Sequence, residues 1–353
     1  MNLDNLKEIS KLDGQNMLEL LCFFPKQCMD ALFIGEKTCV EKSYMKSYKN
    51  IVFTGLGGSA IGAETTRDLL AGEIKIPIFV NRNYGMPAFV SYETLLFAVS
   101  YSGNTEETLS AYEEARKKRA NIIVVTSGGR LKELALKNKN MLITIPNGYP
   151  PRCALGYSFI PALTILLKLG LIKNKKDDLK KALTLIDALG KKSLYPEVSR
   201  RANIAKEIAK KIHNRFAVIY ASDKLGSVAT RWRGQLAENG KTLSSTHVFP
   251  EMNHNEIVGW VNPSNLLRKF TAIILKDKDD NERVKKRMAI TASILKKERF
   301  KVIEIESSGK SRLERMLYLI YIGDFVSFYL ALLNGIDPTP VDRITYLKKQ
   351  LAK

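Results

Sequence analysis

The sequence predicts an α/β chain of two doubly wound domains, each a mostly parallel sheet flanked by helices. Two stretches, 50–145 and 216–335, alternate short apolar runs of strand length with longer segments of helical character. Each stretch opens on a strand, a small-residue turn and a helix: FTGLGGSAIGAETTRDLL at 53–70 and IYASDKLGSVATRWRGQL at 219–236. That echo suits two domains of one architecture, although two unrelated βα units would also produce it. A chain of 353 residues exceeds one ordinary core, and its 45% apolar content is enough to fill two.

Residues 1–45 carry apolar positions at helical spacing and read as helices leading the first domain. Strands follow at 50–54, 76–80, 94–99, 122–126 and 141–145, with helices at 59–71, 105–118 and 131–138 between them. The proline-rich stretch 146–151 closes this domain, so the expected boundaries are 1–153, a helical connector at 154–210, and a second domain at 211–353. In the second domain, strands are expected at 216–220, 246–249, 270–275 and 301–305, and helices at 225–237 and 315–335. Open sheets of this kind bind ligands outside the carboxyl ends of their strands.

The apolar stretches 159–172 and 317–333 are interrupted by Lys168 and Asp324, and read as buried helices rather than membrane spans, the second at a domain or subunit interface. With 56 Lys and Arg against 36 Asp and Glu, the net charge of +20 attracts anions. Much of it lies in amphipathic Lys-rich segments such as 177–192 and 202–211, which read as solvated helix faces. No helix-turn-helix, zinc-finger or aromatic RNP pattern accompanies it, so no nucleic-acid partner is expected. Cys22, Cys28, Cys39 and Cys153 have no metal-ligand spacing, and His213, His247 and His254 do not cluster. No metal, no cofactor and no membrane partner is expected, and a cytoplasmic location with reduced thiols follows.

The most informative run is LLFAVSYSGNTEET at 95–108. An apolar strand passes through Ser100, Ser102, Gly103, Asn104 and Thr105 into a helix. Hydroxyls and unpaired backbone N–H groups at the positive end of a helix form a phosphate cradle without any lysine or arginine. An ordinary capped helix would use the same residues differently, with Asn104 or Thr105 as N-cap and Glu107 closing a capping box.

A second glycine loop, GLGGSAIG at 55–62, matches the dinucleotide fingerprint G-x-G-x-x-A. A dinucleotide site would want an acidic residue about 20 positions on. The chain has Asn81 and Arg82 there, and Arg82 could meet a 2′-phosphate. In a phosphate-binding site, Gly57 and Gly58 instead let the backbone approach the ligand, and Ser59 adds a hydroxyl at the helix start. A merely steric role in a tight turn is the third possibility.

SYSGNTEET at 100–108 resembles the phosphosugar-binding loop of the sugar isomerase (SIS) domain. Together with GLGGSAIG, PPRCALGYSF at 150–159, ENGK at 238–241 and PEMNHNEIVGW at 250–260, it resembles the bifunctional phosphoglucose/phosphomannose isomerase family over roughly residues 45–353. The resemblance implies two SIS-type domains. It also implies an aldose–ketose isomerase that opens hexose 6-phosphate rings and works through an enediolate. A non-catalytic sugar-phosphate sensor and an amino-sugar phosphate isomerase or deaminase are the alternatives.

Such chemistry needs a base to shuttle a proton, a positive group beside the enediolate and an acid to open the ring. Glu238 stands at the end of a helix, where the dipole disfavours the charged carboxylate, although a solvated surface role is the default for a glutamate. The resemblance makes it the base. Arg152 sits in a Pro-Pro-Arg turn that would aim its guanidinium inward; an inter-domain salt bridge is the other reading. His254 has polar neighbours, Asn255 and Glu256, suited to fixing its tautomer, whereas His213 and His247 have no comparable surroundings. In the family the matching histidine comes from the second subunit of a homodimer. Lys348, chosen over Lys349, matches the lysine that joins it in ring opening, and Thr339 is a candidate sugar contact. Ser59, Ser100, Ser102 and Thr105, with Gly57 and Gly58, would bind the substrate.

Overall fold

A computed structural model describes residues 1–351. Packing divides the chain into two compact units, residues 23–184 and residues 1–22 with 185–353. This division differs from the expected boundaries at 153 and 210 for two physical reasons. Helix Leu155–Lys168 is apolar around most of its circumference and packs on helices Phe24–Lys37 and Gly58–Leu70, which ties it to the first sheet. The leading segment 1–22 belongs with the second sheet. There Asp4 meets the buried Lys206 ammonium at 2.9 Å, and helix Met17–Cys22 packs on helix Arg312–Leu333.

In unit 23–184, β1 (Asn50–Thr54), β2 (Ile78–Asn81), β3 (Thr94–Val99), β4 (Asn121–Thr126) and β5 (Met141–Thr144) form a parallel sheet in the order β2-β1-β3-β4-β5. β3 is buried along its whole length and β1 nearly so, as expected of strands covered on both faces. The strand order reverses between β1 and β3, and this switch point is where the two glycine- and serine-rich loops emerge.

The second sheet contains β6 (Phe216–Ser222), β7 (Ser244–Phe249), β8 (Phe270–Lys276) and β9 (Lys301–Glu306), parallel in the order β7-β6-β8-β9. Position for position this repeats β2-β1-β3-β4, so the echo at 53–70 and 219–236 reflects the same strand-turn-helix opening of each sheet. Helix Arg312–Leu333 starts with a capping box between Ser311 and Glu314. It is long and apolar enough to cross a membrane, yet 89% of its apolar window is buried by this chain. Its partners are helices Ile204–Ile212 and Gly226–Glu238.

Candidate active site

In unit 23–184 the cradle residues converge. Ser100 is buried, and its hydroxyl lies 2.9 Å from that of Thr105 while accepting from the Gly103 N–H at 3.2 Å. Thr105 is the N-cap of helix Glu106–Lys117 but makes no capping bond with its side chain. The N–H groups of that first turn are therefore not taken up by the cap's side chain, although Thr105 holds the N-cap position that the capping reading gave it. Asn104 does not cap this helix either. Its Oδ1 accepts from the Arg130 N–H at 2.9 Å, at the start of helix Gly129–Lys137. Ser102 is exposed, and its hydroxyl accepts from the Asn104 N–H at 3.3 Å.

Close packing fixes the loop. Gly103 has φ +71°, and a Cβ there would lie 1.8 Å from the Gly128 carbonyl oxygen. The Ser127 N–H and hydroxyl both donate to the Tyr101 carbonyl, at 3.1 and 2.6 Å. Any side chain at 103 would separate the two loops.

The β1 loop lies beside it. A Cβ on Gly58 would come within 2.5 Å of the Pro151 carbonyl oxygen and 3.4 Å of Arg152 Cα, so this glycine lets the helix start meet the Pro-Arg turn. Gly57, with φ +52°, faces open space, and Ser59 is buried as the second residue of helix Gly58–Leu70. Arg152 is 4% exposed in the 3₁₀ turn Pro151–Cys153. Gln27 secures that turn: its Nε2 donates to the Cys153 carbonyl at 2.8 Å and its Oε1 accepts from the Gly156 N–H at 3.0 Å. Nothing in the local sequence around Gln27 announces this role. Arg82, the residue a 2′-phosphate would need, is paired with Glu64 at 2.7 Å.

In the other unit, Glu238 is the half-buried last residue of helix Gly226–Glu238. Polar contacts bind this helix to Arg312–Leu333. Arg231 grips Asp324 with two bonds, Nε to Oδ1 at 2.9 Å and Nη2 to Oδ2 at 2.7 Å, and Gln235 donates to Oδ1 at 3.0 Å. Beyond Glu238, Asn239 donates to the Ser327 hydroxyl at 2.9 Å and Asn334 to the Gly240 carbonyl at 2.8 Å. Lys241 Nζ spans the Glu238 carbonyl at 2.6 Å and the Pro338 carbonyl at 2.9 Å, which brings the Thr339 segment to the carboxylate's turn. Its place in ENGK, after an Asn-Gly turn, was the signal for it.

His254 is exposed at the end of the 3₁₀ turn Glu251–His254 and has no hydrogen-bond partner among the described residues. The expected tautomer-fixing contacts are absent. Asn255 donates to Glu251 at 2.7 Å, and Glu256 engages His247 Nδ1 at 2.8 Å and the Tyr220 hydroxyl at 2.6 Å. His247 thus has the structured surroundings that the sequence reading denied it, because its partner Glu256 comes from a later turn and is itself held by Tyr220 of β6. Lys348 and Lys349 lie on helix Asp342–Leu351, which has no buried residue.

A model of the bacterial phospho-glucose isomerase C-terminal SIS domain matches residues 201–351, and a SIS domain model matches residues 44–149. The bifunctional phosphoglucose/phosphomannose isomerase of Caldicellulosiruptor bescii is 45% identical over 338 residues, which span 96% of this chain and 99% of that protein. The chain belongs to this isomerase family. The bifunctional phosphoglucose/phosphomannose isomerase of Aquifex aeolicus is 38% identical over 307 residues, 87% of this chain and 91% of its own length. A glucose-6-phosphate isomerase-like protein from Thermus thermophilus superposes with a TM-score of 0.63 at 20% identity, over 97% of this chain and 98% of that one, and so shares the fold. This family member carries both SIS domains, each a parallel sheet flanked by helices.

Proposed function

We propose that this isomerase interconverts glucose 6-phosphate and mannose 6-phosphate with fructose 6-phosphate. The observation that carries the proposal is the uncapped start of helix Glu106–Lys117, where the Thr105 hydroxyl turns to Ser100 and leaves the first-turn N–H groups for an anion. Ser59, Ser100, Ser102 and Thr105 hold the phosphate and neighbouring sugar atoms, and Gly57 and Gly58 admit the sugar close to the backbone.

His254 and Lys348 open the ring by moving a proton from the C1 hydroxyl to the ring oxygen. Glu238 then removes the C2 proton of the open aldose. The electron pair of the broken C–H bond forms the C1–C2 double bond of the enediolate and leaves the charge on the C1 oxygen, where Arg152 stabilises it. The C2 hydroxyl proton passes to the C1 oxygen, and Glu238 returns its proton to C1 as the C2 carbonyl of the ketose forms. Rotation about C2–C3 presents either epimer to the one base, with Thr339 contacting the sugar.

Two features support a homodimer in which His254 serves the partner's site. The histidine points away from its own packed core, and Val258 and Val261, 73% and 60% exposed, follow it in sequence. A cytoplasmic location suits the free thiols of Cys22 and Cys39.

A coupled assay for fructose 6-phosphate, started from each aldose with EDTA present, tests the function. Turnover of both is expected. Turnover of one alone restricts the specificity, and turnover of neither with retained sugar-phosphate binding refutes the enzymatic reading in favour of a sensor.

A further inference from the structure

The segment that presents His254 is anchored at four points that exclude His254 itself. Met252 is fully buried in the core beneath β7 and β6, and Asn253 Nδ2 donates to the Thr291 hydroxyl of helix Glu282–Lys297 at 2.9 Å. Trp260 Nε1 donates to the Tyr220 hydroxyl at 2.8 Å. That same hydroxyl donates to Glu256 Oε1 at 2.6 Å, while Glu256 Oε2 meets His247 Nδ1 at 2.8 Å. Both Glu256 oxygens are therefore committed, one to β6 and one to β7, two residues from His254.

A short turn with an exposed tip has little stiffness of its own, because its side chains gain nothing from burial. Its shape is set where it is tied down. The packing of Met252 and Trp260 fixes the two ends, and Asn253, through Thr291, and Glu256 are polar ties between them, Glu256 being the one with both oxygens engaged. Burial and the neighbouring Glu256 carboxylate push the Tyr220 hydroxyl far up, so it stays a donor to that carboxylate at any working pH.

We propose that Glu256, clamped between His247 and Tyr220, is a positioning residue that sets the height and direction of His254 for ring opening. It acts through the turn and touches no substrate. The proposal rests on the reading of His254 as the ring-opening group. It predicts that loss of the clamp damages the step that needs His254 and leaves phosphate binding intact.

A double-mutant cycle between Glu256→Ala and His254→Gln tests it in the full-length enzyme, with kcat and KM for fructose 6-phosphate formation as readouts. Glu256→Ala alone should lower kcat by about 10- to 100-fold, the range for a catalytic group displaced by about 1 Å, with KM changed by less than about threefold. In the His254→Gln background the same change should cost less than about twofold, because there is no longer a histidine to aim. Glu256→Gln, which keeps an acceptor for Tyr220 and a polar group for His247, should recover most of the activity. If Glu256→Ala does not fold, His247→Phe removes one of the two ties and should show the same non-additivity with a smaller loss. Equal losses in both backgrounds, or no loss in either, overturn the proposal alone. Full activity of His254→Gln by itself overturns the reading of His254 and the proposal with it.

Discussion

Replacing Arg231 by Met should leave Asp324 buried without its counter-charge. The two side chains are 4% and 3% exposed, and the guanidinium contributes two of the three hydrogen bonds to the carboxylate, the third coming from Gln235. Burial already pushes the Asp324 carboxyl up, with Arg231 and Gln235 opposing. Without Arg231 the folded protein tolerates Asp324 only in its protonated form. Each pH unit above an aspartate's ordinary value of about 3.9 then costs about 1.36 kcal/mol, or about 4 kcal/mol at pH 7 and about 1.5 kcal/mol at pH 5. The sign follows from linkage: a carboxyl raised in the folded state leaves stability intact below its unfolded value, and stability is lost as pH rises.

Urea unfolding reads this directly, because both tryptophans, Trp232 and Trp260, lie in the unit that contains the pair. At a slope of about 3 kcal/mol/M, the midpoint of Arg231→Met should fall by up to about 1.4 M at pH 7 and up to about 0.5 M at pH 5, the already raised carboxyl of the unaltered protein carrying part of the same cost. Adding Asp324→Leu should restore most of the loss and abolish its pH dependence. A destabilisation below about 1 kcal/mol, or one unchanged between pH 5 and pH 7, would refute the reasoning.

Glu238→Gln should lower kcat by about 10² to 10⁴ while a competitive sugar-phosphate inhibitor still binds, as measured by calorimetry. Ser100→Ala and Thr105→Val each remove a hydroxyl from the cradle and should raise KM about 10-fold or more, since hydrogen bonds to charged groups contribute about 1.5–3 kcal/mol; unchanged KM would exclude these hydroxyls from the phosphate. Burial pushes Asp277 up, but bonds from the Arg315 guanidinium, the Asp279 N–H and the Ser307 hydroxyl outweigh it and hold the carboxyl below its ordinary value. Its contribution is therefore present above about pH 4 and is lost as pH falls through the folded-state value, so Asp277→Asn should flatten the acid limb of the tryptophan-monitored stability curve. Mixing Glu238→Gln with His254→Gln protein, each retaining only residual activity, should recover about a quarter of wild-type activity, because half of random dimers are mixed and each contains one intact site; no recovery above the two residual activities would place His254 in its own subunit's site.

What the sequence made legible was local. Strands Asn50–Thr54 and Thr94–Val99 were expected at those residues, because a short apolar run bounded by turn residues specifies a buried strand from its own composition. The strand before Asn81 is shifted by two residues at its start, at a sheet edge where burial constrains register less. The loop after β3 was recognisable by its hydroxyls, but the pairing of Ser100 with Thr105, and of Asn104 with a different helix, depends on where the 126–130 loop comes to rest. Long-range partners were hidden altogether. Asp324 looked like a flaw in an apolar stretch until Arg231, 93 residues earlier, was seen to answer it. Likewise, helix Arg312–Leu333 was expected at an interface, and much of its apolar surface is covered by helices of its own unit.

The proposed phosphate cradle is built from hydroxyls and backbone N–H groups, with no lysine or arginine between residues 100 and 105 or between 55 and 59. Neutral donors attract an anion over only a few ångströms, whereas the chain's net charge of +20 is felt out to about a Debye length, roughly 8 Å at physiological salt. Capture and retention are therefore assigned to different parts of the molecule. Added salt should slow the arrival of a sugar phosphate by screening the basic surface, while its residence time, set by short directional bonds, changes little. An enzyme arranged this way can gather scarce anionic substrate through its net charge and leave the length of its stay to contact-distance bonds.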